Sequence, residues 1–251
     1  MRNIVTKHRL LLVASLMALS VTTMDAQPFK APKKILVDIA HGQKFWNDPA
    51  DVAGKDPAFI ERIRYMTGEL KKNAMALSAS VGYIKSTITP QSLAGCDLLF
   101  IHIPSAKFSA DEVSAIQQYV KKGGSLFLVA EVDYWATLEQ TNVNDIVNTF
   151  GIEFKNDNPD QSSGGHSQAG AVTDKSFSIP YHGARIVQGG TPFCFSNKTD
   201  ENPFGVYKEV DRGKVIAMGD GMVSLYMTSW EGVNNYQCSE FMEDVLAWLL
   251  K

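Results

Sequence analysis

The chain has few cysteines: Cys96, Cys194 and Cys238 are the three in 251 residues. So sparse and odd a set excludes a disulfide-stapled small domain, and none has the histidine neighbour of a nucleophilic thiol. They read as small buried residues. Basic charge is scarce too. Lysine and arginine number 24 against 27 acids, a formal net charge of −3 with no basic run. That excludes a nucleic-acid binder that depends on clustered cations. No apolar run reaches the roughly 20 residues of a comfortable membrane span. The sequence holds no G-x-S-x-G, H-E-x-x-H, P-loop or G-x-G-x-x-G. No histidine and carboxylate pair has a diagnostic ligand spacing, so neither a metal nor a cofactor is expected.

What is present starts with a targeting pattern. Arg2, Lys7 and Arg9 precede the apolar stretch LLLVASLMALSV, and Ala26 follows as a small residue before Gln27. This is the layout of a secretory signal peptide, with a retained anchor as the alternative. Residues 1–26 are expected to be removed, leaving 27–251 as a single exported domain, periplasmic or extracellular, with no stable membrane insertion. The loss of three basic residues and Asp25 makes the remainder more acidic.

The rest alternates between strand and helix patterns. KILVDIA (34–40), ALSASVGYIKS (76–86), CDLLFIHIP (96–104) and SLFLVAEVD (125–133) read as strands. The first, third and fourth are continuous apolar runs suited to burial on both faces. Between them, Asp56 and Pro57 open a helix with Ile60, Ile63, Met66 and Leu70 on one face. Ser109 and Glu112 form a capping-box pair at the head of a second helix, which ends at Gly123 or Gly124. Residues 155–170, rich in Asn, Asp, Ser and Gly, read as a long surface loop. Beyond them lie short strands, a hairpin turning at DRG, and a closing helix over 239–250. The economical reading is a doubly wound α/β sheet.

Ligands of open α/β sheets bind beyond the carboxyl ends of the strands, and polar residues gather there. The first strand ends in Asp38, His41, Gly42 and Gln43, with Phe45 and Trp46 behind. The third brings His102 and Ser105, the fourth Glu131, Asp133, Tyr134 and Trp135, and a late one Asp220 and Gly221. Each has a plain alternative. His102, inside an apolar strand, fits a hydrogen-bonded core histidine; Asp220 and Gly221 fit a turn. Glu131 after FLVA is harder to dismiss, because a buried carboxylate without a partner is costly. Tyr134 and Trp135 beside carboxylates suit sugar recognition. His182 is a further candidate from PYHGAR.

The opening DIAHGQ, the block CDLLFIHIPSAKFSADEVSAIQQYVKKGGSLFLVAE and the late GKVIAMGDGMVS resemble the GIFT-type domains of the class I glutamine amidotransferase-like superfamily. Trehalose-utilisation-like proteins share that layout. The resemblance implies a flavodoxin-like three-layer sandwich with a mostly parallel sheet. Amidotransferases of that superfamily carry a nucleophilic cysteine in the turn that here reads EVDYW, and a downstream His-x-Glu pair that is also missing. Without thiol and base, ammonia release from glutamine has no mechanism here.

Three functions follow as expectations. The first is recognition of a small polar ligand, a saccharide above all, by Asp38, Gly42, Gln43, Trp46, His102, Ser105, Tyr134, Trp135, His182, Asp220 and Gly221. The second is a carbohydrate-active hydrolase or lyase with Glu131 or Asp133 as acid/base and His41 assisting. The third is a structural or assembly subunit of an envelope complex.

Overall fold

Strand β1 (Lys33–Asp38) buries both of its faces: Ile35 and Val37 join one apolar cluster and Leu36 the other. The same division recurs in β3 (Leu98–His102) and β4 (Ser125–Val129). Leu98, Phe100, Phe127 and Val129 sit with Ile35, whereas Leu99, Ile101, Leu126 and Leu128 sit with Leu36. Side chains alternate across a strand, so a continuous apolar run must be covered on both sides. Helix α1 (Pro57–Ala76) covers one side with Ile63, Met66 and Leu70, and α2 (Ala110–Lys121) covers the other with Ile116 and Val120.

Both helices start where their caps dictate. Asp56 accepts the N–H of Ala58 at 2.9 Å and of Phe59 at 3.2 Å, with Pro57 in the first turn. Ser109 and Glu112 satisfy one another's backbone N–H groups, a cap that contributes about 1 kcal/mol.

The computed structural model describes residues 32–158 and 163–251. The expected signal peptide, 1–26, lies outside them. Among the described residues no helix is long and apolar enough to cross a membrane. The further elements are β2 (Ala79–Ile84), α3 (Leu138–Thr141), α4 (Val143–Val147), β5 (Glu153–Asp157), β6 (Ser163–Ser167), β7 (Ser178–His182) and β8 (Arg185–Gln188). They are followed by β9 (Thr191–Ser196), β10 (Gly205–Val210), β11 (Gly213–Met218), the two-residue strands β12 (Ser229–Trp230) and β13 (Val233–Asn234), and α5 (Cys238–Leu249).

Nine strands form the main sheet in the order β2-β1-β3-β4-β11-β10-β9-β6-β7. From β2 to β11 every pairing is parallel, and the order is that of flavodoxin-type doubly wound sheets. From β11 to β7 every pairing is antiparallel. The fold is therefore mixed α/β, and the expected mostly parallel sheet is corrected to one that is half parallel. The reason is connection length. Parallel neighbours need a crossover of about a dozen residues or more, usually helical, and no helix lies between β6 and β11. The two-residue turn at Asp211 and Arg212 can join β10 to β11 only as a hairpin.

The long loop expected over 155–170 is also corrected, since β5 and β6 occupy much of it. The Ser and Gly content of β6 hides it. Gly165 admits the neighbouring strand: a Cβ there would lie 2.7 Å from the Phe195 carbonyl oxygen. β5 pairs with β8 in a separate two-stranded sheet.

Candidate functional site

The polar end of β1 folds back on itself. Asp38, fully buried, accepts Ala40 N–H at 3.0 Å, His41 Nδ1–H at 2.9 Å and Gln43 Nε2–H at 3.2 Å. The other ring nitrogen of His41 lies 3.1 Å from Glu112 Oε1, and its ring stacks on Phe108 with centroids 3.9 Å apart. Burial alone would lower the His41 pKa, but hydrogen bonds and charge from Asp38 and Glu112 outweigh it and raise the value. His41 thus sits between two carboxylates that both favour its protonated form. Gln43 carries the link onward by accepting the His102 N–H at 2.9 Å. Gly42 turns with φ +63°, and a Cβ there would meet Ser105 Oγ at 2.4 Å; that hydroxyl donates to the Gly42 carbonyl at 2.7 Å. Trp46 packs edge-on to Phe100 at 5.4 Å.

These residues make a strap joining β1, β3 and α2. His102 is fully buried; its Nε2–H donates to the Gly221 carbonyl at 3.3 Å, and burial lowers its pKa to about 4, so the ring is neutral. Among the described residues its Nδ1 has no partner.

The cavity lies beside the strap. It has a volume of about 870 Å³ and opens beyond the carboxyl ends of β1, β3, β4, β7 and β11. Glu131 and Asp220 line it, as do Tyr134, Trp135 and His182, together with Phe45, Ile103, Asp157, Met222, Tyr226 and Trp230. Of the residues singled out in the sequence, the structure brings together Glu131, Tyr134, Trp135, His182 and Asp220. Asp38, His41, Gln43, Trp46 and His102 do not line it, nor do Gly42 and Ser105, which are exposed. Gly221 lies under the floor, where its N–H donates to Glu131 Oε2 at 2.7 Å. Asp133 points away and is bound by Arg185.

The antiparallel half of the sheet shapes this cavity by curling back. His182 ends β7, the far edge strand, yet its N–H donates to Asp220 Oδ2 at 3.1 Å, just beyond the central strand β11. Met222 N–H holds Asp220 Oδ1 at 2.7 Å. Two lining residues carry strained backbone: Ile103 at φ +46° and Tyr226 at φ +56°. For a β-branched residue this region costs on the order of 1–3 kcal/mol, a strain that clusters at functional sites.

Sequence reasoning missed Arg185. It is 1% exposed and ties the 131–136 segment to the body of the protein. Its Nε–H donates to the Glu131 carbonyl at 2.6 Å and one terminal nitrogen to the Ala136 carbonyl at 3.1 Å, while Asp133 and Asp157 supply its counter-charge. An arginine set in the apolar run ARIVQ was the available signal. Trp230 was also missed as a wall residue and packs edge-on to His182 at 5.6 Å; Phe45, noted behind the first strand, joins the wall edge-on to Trp135 at 5.0 Å.

Electrostatically, the floor is a pair of buried acids. Burial first, and then the charge of Asp220, pushes Glu131 well above the usual carboxylate range. Burial raises Asp220 to about 6, against the lowering effect of its bonds from Met222 and His182. Two adjacent buried carboxyls cannot both ionise readily. Both acids are therefore held toward their protonated forms, burial being the first cause for each. No cysteine lines the cavity, and burial raises the pKa of all three thiols. Among the described residues no cluster of His, Cys, Asp or Glu is placed to hold a metal ion.

A family model described as the IFT52 GIFT domain matches residues 63–163. No curated protein matches the sequence. Among solved structures, the N-terminal domain of mmIFT52 is similar with a TM-score of 0.60 and 18% identity, over 86% of this chain and 97% of that one. The cytoplasmic protein STM1381 of Salmonella typhimurium LT2 gives a TM-score of 0.56 at 15% identity, over 87% of this chain and 100% of that one. A beta-galactosidase from Rahnella sp. R3 gives 0.52 at 12% identity, over 87% of this chain but 31% of the enzyme. Identities this low speak for fold alone, and the family model together with the mmIFT52 domain supports a GIFT-like fold.

Proposed function

We propose that the chain recognises a small polyhydroxylated ligand, a saccharide, in the cavity at the strand ends. The observation that carries this reading is the joint lining by aromatic rings and carboxyls: Phe45, Trp135 and Trp230 on the wall, Glu131 and Asp220 on the floor. Flat rings stack on the apolar faces of sugars, and a few placed polar groups fix orientation in such cavities. A volume of about 870 Å³ suits a mono- to disaccharide.

A second reading, hydrolysis of a glycosidic bond, draws on the raised pKa values of Glu131 and Asp220, since a buried carboxyl held toward its protonated form suits a general acid. In that case the pair is Glu131 with Asp220. Asp133 is engaged by Arg185 and His41 by Asp38 and Glu112. Likeness in fold to beta-galactosidases adds nothing to this chemistry. For location we keep the exported reading suggested by the N-terminal pattern. An assembly role has no observation of its own in its favour.

Calorimetry of the protein against a broad glycan panel tests the reading. Binding that weakens in Trp135→Ala supports it. Silence across the panel overturns it, and turnover of a bound glycoside that stops in Glu131→Gln would promote the hydrolytic form.

A further inference from the structure

The cavity floor holds a charge that the protein does not answer. Glu131 is 7% exposed and Asp220 1% exposed. Their hydrogen bonds come from the backbone: Val132 and Gly221 N–H for Glu131, Met222 and His182 N–H for Asp220. The neighbouring cations are spent elsewhere. Arg185 pairs with Asp133 and Asp157, and the His182 ring faces Glu231 at 3.3 Å. Arg62 also lines the cavity, but from an exposed position on α1 where water and salt screen it. Among the described residues neither floor carboxyl has an ion-pair partner.

Burial pushes both carboxyls toward the protonated form, and no cation among the described residues lies within ion-pair distance to answer either one when it ionises. An isolated buried charge is costly, and proteins ordinarily pair it. The missing counter-charge has surroundings that suit it. Phe45, Trp135, Tyr226 and Trp230 stand on the walls of the same cavity, and ring faces attract cations, tryptophan most of all. A carboxylate below and aromatic rings around it make an environment that favours an ammonium group over a neutral hydroxyl.

We propose that the ligand is an amino sugar, whose ammonium group docks on the Glu131–Asp220 pair while its ring stacks on the aromatic wall. The inference rests on the saccharide reading above and narrows it. The amine supplies the counter-charge and donates to carboxylate oxygens, each of which retains an acceptor lone pair. A hydroxyl in its place leaves the floor anion without a counter-charge. An N-acetyl group removes the charge and adds bulk.

Titration calorimetry of the full chain at neutral pH separates the outcomes. The probes are D-glucosamine, D-galactosamine and D-mannosamine, each beside its parent hexose and its N-acetyl form, with chitosan beside chitin oligomers. The expected result is an amine that binds about tenfold or more tightly than both of its counterparts. Asp220→Asn should erase that preference while thermal melting shows a folded protein. Because the ligand series is run on the unaltered protein, the result does not depend on the variant folding. If a parent hexose or an N-acetyl sugar binds as tightly as the amine, this inference falls and the saccharide reading stands. If the preference survives in both Asp220→Asn and Glu131→Gln, the amine docks elsewhere and the inference falls as well. No binding by any of these sugars, nor by a wider glycan panel, overturns both.

Discussion

Glu131 accepts the N–H of Gly221 at 2.7 Å, one residue beyond Asp220, so one short turn holds both acids of the cavity floor. That turn costs the apo protein something. A carboxyl whose folded pKa lies above its unfolded value binds protons more tightly when folded, and stability then falls as pH rises through that interval.

For Asp220 the interval runs from 3.8 to about 6. Relative to Asp220→Asn, the wild type should therefore lose on the order of 3 kcal/mol of stability between pH 4 and pH 7. Urea denaturation of both proteins across that range measures the difference. The comparison with the variant is needed because His102 acts in the opposite sense: its pKa is lowered to about 4, so its contribution rises over the same range. A gap between wild type and variant that stays constant with pH would refute the assignment.

His41 predicts a different profile. Its raised pKa means that the strap contributes fully below the unfolded value of 6.5 and loses strength as pH climbs through the folded value. His41→Leu leaves Asp38 and Glu112 without their shared cation, and breaking a buried ion pair costs about 3–5 kcal/mol. Denaturation midpoints should show the largest deficit at pH 5–6 and a narrowing one in mildly alkaline solution. Ligand affinity should move by less than about twofold, since the strap is not on the cavity wall.

Arg185→Met should affect stability and binding together. The substitution removes the donors held by the carbonyls of Glu131 and Ala136 and leaves Asp133 and Asp157 unneutralised. We expect a loss of about 3–5 kcal/mol, with faster hydrogen exchange confined first to 131–136. Unchanged exchange in that segment would show that Arg185 does not anchor it.

Trp135→Ala isolates the wall. Trp135 is 37% exposed and rests edge-on against Phe45, so its removal should barely move the melting temperature. Losing one stacking ring should weaken a bound saccharide by about tenfold, or roughly 1–2 kcal/mol. A large drop in melting temperature with intact affinity would mean that the ring is structural.

The parallel half of the fold was legible because its signals are local. LLFIH and SLFLV are apolar without interruption, and Ser109 with Glu112 marks a helix start within four residues. The antiparallel half was not, because its order is set by pairings between distant strands. SGGHS in β6 looks like a loop until Phe195 is placed beside Gly165. The site divides in the same way. Glu131, Tyr134, Trp135 and Asp220 follow strand ends that the pattern reveals, and His182 follows a weaker one. Arg185 and Trp230 join them only through tertiary contact. Asp38 and His41 showed the same polar signature as the cavity residues, but their partners turned out to be one another and Glu112.

The hydrogen bond from His182 to Asp220 has an evolutionary consequence. One acid of the floor hangs from the parallel half, while the other is held by a strand on the opposite margin of the sheet. A fragment ending near residue 150 could inherit α1 to α4, the strap and Glu131, yet it would have half a floor and no far wall. The cavity is therefore not a module that can be passed on with the doubly wound half. Relatives that shorten or rearrange β6 to β10 can keep the architecture and discard the ligand, so shared fold and shared ligand should separate along that line.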